Sequence, residues 1–99
     1  MTGIPESLRS RLIDIFADTP EVRRAILFGS RSRGDAEERS DIDLAVEAPG
    51  VSDRRRLELL DELEDSDTLL KIDLAWWEQA SSELRKRITS EGEVLYERR

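Results

Sequence analysis

The residues able to do chemistry gather in one stretch. Gly29 to Leu44 reads GSRSRGDAEERSDIDL: a Gly-Ser pair, ten intervening residues, then Asp41-Ile42-Asp43. The pair follows the apolar run Ala25-Ile26-Leu27-Phe28, as a buried strand ended by glycine would read. Gly29 lets the backbone turn tightly and a ligand approach it closely. Ser30 suits the N-cap of a short helical turn, and Gly34 suits its end. The free N–H groups at such a helix start attract phosphate. Arg31 and Arg33 add positive charge; each could neutralise phosphate or pair with Asp35 or Glu37. In Ser40 to Val46, strand alternation sets Asp41 and Asp43 on one face and Ile42, Leu44 and Val46 on the other. Side chains two apart on a strand are separated by about 6.6 Å, so both carboxylates can converge on one ion or a close pair of ions. Oxygen-only ligands favour a hard cation, magnesium, with manganese as a substitute. A Gly-Ser pair alone is an ordinary cap, and an Asp-x-Asp alone is an ordinary solvated strand face. Together, in this order, they fit the triphosphate of a nucleotide beside its metal.

A third carboxylate is available. In Lys71-Ile72-Asp73-Leu74-Ala75-Trp76, Ile72, Leu74 and Trp76 alternate to one side and leave Asp73 on the other. An acid inside an apolar strand is costly unless it is paired, binds metal or faces water at an edge.

The elements that must position these groups follow from periodicity. Pro5 to Asp18 reads as a first helix, with an apolar stripe of Leu8, Leu12, Ile13, Ile15 and Phe16. Pro5 suits its first turn, and Pro20 lies just past its end. Val22 to Phe28 is the first strand and Ser40 to Val46 the second. After the Pro49-Gly50 break, Ser52 or Asp53 caps a helix to about Glu64, whose apolar positions are Leu57, Leu60 and Leu63, with Leu59 beside them. Its Arg54-Arg55-Arg56 run reads first as a solvated face and second as a phosphate or partner contact. The acids Asp61, Glu62, Glu64, Asp65 and Asp67 read the same way. In the third strand Trp76 belongs with the core, whereas Trp77 points away and either packs structurally or contacts a base or partner. Ser81 or Ser82 starts a last helix carrying Arg85-Lys86-Arg87; Gly92 ends it, and Val94-Leu95-Tyr96 forms a short terminal strand. Tyr96 packs on the core surface or, less simply, is a modified tyrosine. The expected fold class is α/β (α+β), a single domain over residues 1–99 with a small central sheet and helices mainly on one face.

Composition narrows the chemistry. The 99 residues suffice for one modest core. There is no Cys and no His, so disulfides, thiolate metal sites and imidazole catalysis are excluded, a His-dependent ribonuclease site among them. Any reaction must run on carboxylates, hydroxyls, Lys or Arg. Sixteen Lys and Arg against twenty-three Asp and Glu leave a net charge of −7; that field opposes long nucleic acid and favours a basic protein partner or a metal-bound nucleotide. No run approaches the ~20 apolar residues of a membrane span, and no signal-peptide pattern opens the chain. A cytoplasmic protein is expected.

Gly29, Ser30, Asp41, Asp43 and Asp73 together resemble the nucleotidyltransferase pattern of the polymerase-beta-like superfamily, and the chain is similar to its minimal nucleotidyltransferase (MNT) members, often paired with HEPN-domain toxins. The resemblance runs through nearly the whole chain to Glu91-Gly92-Glu93-Val94-Leu95-Tyr96-Glu97-Arg98. It implies a mixed sheet, ATP as substrate and two magnesium ions. It implies further that Gly29 and Ser30 hold the triphosphate, that Asp41, Asp43 and Asp73 are catalytic metal ligands, with Asp43 bridging, and that Arg31 or Arg33 assists. A hydroxyl would attack the α-phosphorus in line and pyrophosphate would leave. In the antitoxin branch the acceptor is a tyrosine of a HEPN ribonuclease toxin, silenced by the attached AMP. Two other readings fit the same residues: a binding module that neutralises its partner by contact, and a transferase acting on a small molecule or an RNA 3′ end.

Overall fold

The computed structural model describes residues 4–29, 41–65 and 71–98. Helix α1 (Glu6–Ala17) begins after Pro5, whose φ of −59° is preset for a helix start. Its buried side chains Leu8, Leu12, Ile15 and Phe16 recur at helical spacing. Strands β1 (Arg24–Phe28) and β2 (Ile42–Glu47) pair antiparallel. Helix α2 (Asp53–Glu64) is capped by Ser52, whose side chain accepts from the Arg55 N–H at 3.1 Å. Strand β3 (Ile72–Trp76) then pairs parallel with β2, and a single 3₁₀ turn (Trp77–Gln79) leads away. Helix α3 (Ser82–Glu91) is capped by Ser81. Strand β4 (Glu93–Glu97) returns antiparallel to β1 with a bulge between Ala25 and Ile26. The sheet order is β3-β2-β1-β4 and the sheet is mixed, as expected.

Alternation divides the core between the two faces of this sheet. Ala25, Leu27, Ile42, Leu44, Val46 and Ile72 pack against α1 and against Leu59 and Leu63 of α2. Ile26, Phe28 and Ala45 pack against Ile88 of α3, with Leu84, Ala75 and Trp77 beside them. Two of the three described helices therefore share one face and α3 covers part of the other. The stripe of α2 differs from the three-residue spacing read in the sequence. Leu59 and Leu63 are buried, whereas Leu57 is 65% exposed, because a helix aligns i and i+4 and Leu57 lies off that line.

The charged runs are also more engaged than a solvated face. Arg55 lies within 3.6 Å of Glu21, Glu58 and Glu62 and donates to Thr19 Oγ1 at 3.4 Å. Arg56 pairs with Asp53 and lies over the Trp76 ring at 5.3 Å. Trp76 packs on the larger core, and Tyr96 packs on its surface. Arg98 closes the chain onto α1: its guanidinium donates to the carbonyls of Ala17, Thr19 and Val22 at 3.0–3.2 Å. Those oxygens lie at the carbonyl end of a helix and just past it, where a cation is favoured.

Candidate active site

The site builds on the face that carries Phe28. Where β1 ends, Gly29 adopts φ +76°, in the left-handed region that suits glycine. The same glycine lies against the carboxylate of Asp43: a Cβ on Gly29 would run into Asp43 Oδ2. Two requirements, a left-handed turn and contact with an acid, thus fall on one position.

Sheet register arranges the rest in ranks across this face. Phe28 of β1 is opposite Asp43 of β2, and Asp43 is in register with Asp73 of β3. Adjacent strands are about 4.8 Å apart, so Asp43 and Asp73 stand side by side. Asp43 is half-buried and Asp73 is exposed. One rank outward, Asp41 precedes β2 beside Lys71, whose carbonyl accepts the Ile42 N–H at 2.9 Å; Asp41 is exposed. One rank inward, Ile26, Ala45 and Ala75 form an apolar floor. Two neighbouring carboxylates above an apolar floor supply oxygen ligands that neutralise a hard cation.

The structure thus brings Asp43, Asp73 and Gly29 together. Asp41 lies on the same face, one pleat further out and beyond the strand. Among the described residues no group of three or more acids closes into a metal-ligating cluster. Ser30, Arg31 and Arg33 lie outside the described residues, as do Asp35, Glu37 and the expected short helix.

The far end of the face is structural. Arg24 pairs with Glu47 at 3.0 Å and lies over the Trp77 ring at 5.4 Å. Arg85 covers the same ring at 5.0 Å and donates to the Trp77 carbonyl at 2.8 and 3.0 Å. Trp77 is therefore a packed, half-buried residue, and of its two readings the structural one fits. Arg87, one position before the buried Ile88, is in sequence only one of a run of three cations. Its guanidinium lies 5.7 Å from the Phe28 ring centroid. The signal that finds it is the helical pair Leu84 and Ile88, which sets the inward face of α3 and so separates the three consecutive cations.

Comparison with known proteins places the fold and the family. The family model described as polymerase beta, nucleotidyltransferase matches residues 10–99. A chain of a toxin–antitoxin crystal structure with AMP-PNP superposes with a TM-score of 0.77 at 29% identity, covering 92% of this chain and 74% of that one. A chain from the complex of the tri-AMPylated Shewanella oneidensis HEPN toxin with its MNT antitoxin gives 0.70 at 27% identity, covering 92% and 71%. A nucleotidyltransferase described as such only provisionally, from Sulfolobus solfataricus, shares the fold, with a TM-score of 0.61 at 16% identity over 94% of this chain and 79% of that one. No curated protein matches significantly. With the family model spanning nearly the whole chain, this protein belongs to the polymerase beta nucleotidyltransferase family.

Proposed function

We propose that the protein is a magnesium-dependent nucleotidyltransferase that moves AMP from ATP to a tyrosine hydroxyl of a partner HEPN ribonuclease toxin, acting in the cytoplasm as its antitoxin. The observation that carries the reading is the register of Asp43 with Asp73 beside the left-handed Gly29. The similarity to chains from a toxin–antitoxin structure with AMP-PNP and from an AMPylated toxin complex supports the nucleotide and the partner.

Asp41, Asp43 and Asp73 would hold magnesium, or manganese in its place. The fit rests on an all-oxygen donor set and on the close contact of the Asp43 carboxylate with Gly29. When bound, the metal supplies Lewis-acid activation of the hydroxyl and charge compensation on the leaving group. Gly29 and Ser30 would orient the triphosphate, aided by Arg31 or Arg33. The tyrosine oxygen forms a bond to the α-phosphorus, the bond from that phosphorus to the bridging oxygen breaks, pyrophosphate departs and the phenolic proton passes to solvent. In-line placement of acceptor and leaving group is the main contribution such a site makes.

Incubation with α-labelled ATP, magnesium and the partner toxin tests this. Label should reach the toxin and should be lost with Asp41→Asn plus Asp43→Asn. If no label transfers, or the double variant transfers it as well as the wild type, the enzyme reading fails. If the Asp43→Asn protein still neutralises the toxin fully without transferring label, inhibition is by contact.

A further inference from the structure

The site described so far is acidic, yet its proposed substrate is a polyanion. The chain as a whole carries −7, and Asp41, Asp43 and Asp73 share the face on which the nucleotide would lie. Among the described residues, three arginines reach that face. Arg24 is committed to Glu47 and the Trp77 ring. Arg85 is committed to the Trp77 carbonyl and the same ring. Arg87 differs. It lies over Phe28, the residue opposite Asp43 and immediately before Gly29. Its Nε pairs with Glu91 Oε1 at 3.2 Å, and its side chain is 50% exposed.

That contact does not explain the placement. An exposed i,i+4 pair contributes a few tenths of a kcal/mol, and less when the cation precedes the acid. Packing over an aromatic ring does restrain the guanidinium, and it does so on the β1 side of the site, where Gly29 turns. Lys71 stands on the β3 side, where its carbonyl accepts the Ile42 N–H, away from the turn at Gly29. The guanidinium fork matches phosphate oxygens in geometry and charge.

We propose that Arg87 binds the β- and γ-phosphates of the incoming nucleoside triphosphate, reaching the site from α3. This rests on the nucleotidyltransferase reading above and adds a binding residue far in sequence from the Gly29–Asp43 motif.

The test is equilibrium binding of magnesium–ATP and of AMP to the full chain, comparing wild type with Arg87→Ala, Arg87→Lys and Lys86→Ala. Thermal midpoints verify folding; Arg87 and Lys86 are both exposed. Arg87→Ala should weaken magnesium–ATP about tenfold, roughly 1.4 kcal/mol, and leave AMP within about twofold, since AMP lacks the two outer phosphates. Arg87→Lys should fall between. Lys86→Ala, on the neighbouring helix position, should match the wild type. Unchanged ATP affinity in Arg87→Ala overturns the proposal, as does an equal loss for ATP and AMP. A loss in Lys86→Ala as large as in Arg87→Ala also overturns it, because the effect would then be one of net charge. If the wild type itself binds no magnesium–ATP, the nucleotidyltransferase reading fails and this inference with it. Binding that is intact in both wild type and Arg87→Ala removes only this inference.

Discussion

Gly29→Ala separates backbone strain from site geometry, because the protein carries its own control. Gly29 and Gly50 both sit at φ +76°. Placing alanine at either costs about 1–2 kcal/mol for the left-handed conformation. A loss of 1 kcal/mol lowers the thermal midpoint of a domain of this size by about 4–8 °C, so both variants should lose roughly 5–15 °C. They differ in what the new methyl meets. At Gly50 there is nothing within 4 Å, whereas at Gly29 the methyl overlaps the carboxylate of Asp43. To regain ordinary van der Waals separation, that carboxylate must retreat by roughly 1 Å. A misplacement of about 1 Å in a catalytic constellation can cost about 100-fold in rate. Label transfer from ATP to the toxin, assayed well below both midpoints, should therefore fall about 100-fold in Gly29→Ala and stay within about twofold of wild type in Gly50→Ala. Equal activity in the two variants, at equal stability loss, would refute the reasoning: the Asp43 carboxylate would not be needed where the fold puts it.

Asp43→Asn should abolish label transfer while the protein keeps its fold, which circular dichroism and a cooperative thermal transition check. Chelation of divalent metal should stop transfer, and added magnesium or manganese should restore it. Leu63→Ala should cost about 2–5 kcal/mol in denaturant unfolding, as for a fully buried leucine, whereas Leu57→Gln, at an exposed position, should stay within about 0.5 kcal/mol. Arg98→Ala removes the donors to Ala17, Thr19 and Val22 carbonyls and should destabilise by about 1–3 kcal/mol; a change below about 0.3 kcal/mol would mean that water replaces it at no cost.

Much of the site was legible in the sequence because its signals are local. The alternation that put Asp41 and Asp43 on one face depends only on the period of a strand. The caps at Ser52 and Ser81 are likewise chemistry of a few consecutive residues. So are the left-handed need at Gly29 and the exclusion of imidazole and thiolate chemistry, which the composition alone decides. What local pattern could not give is contact between distant segments. The neighbourhood of Asp43 and Asp73 is a matter of parallel register across an intervening helix. The clash that fixes Gly29 comes from a side chain fourteen positions away. The inward line of α2 is not legible in its letters, because Leu57, Leu59, Leu60 and Leu63 are equally apolar and only the sheet beneath chooses Leu59 and Leu63. Three consecutive cations in α3 look alike as letters. Packing sends Arg85 to the Trp77 carbonyl and Arg87 to the Phe28 ring, because each successive residue turns about 100° around a helix, so the two side chains meet different surroundings. The sequence by itself determined which kinds of side chain are available for chemistry and which are absent. The tertiary structure decided which acids stand together and which cation stands near them, since those depend on register and helix docking, which no short stretch of chain encodes.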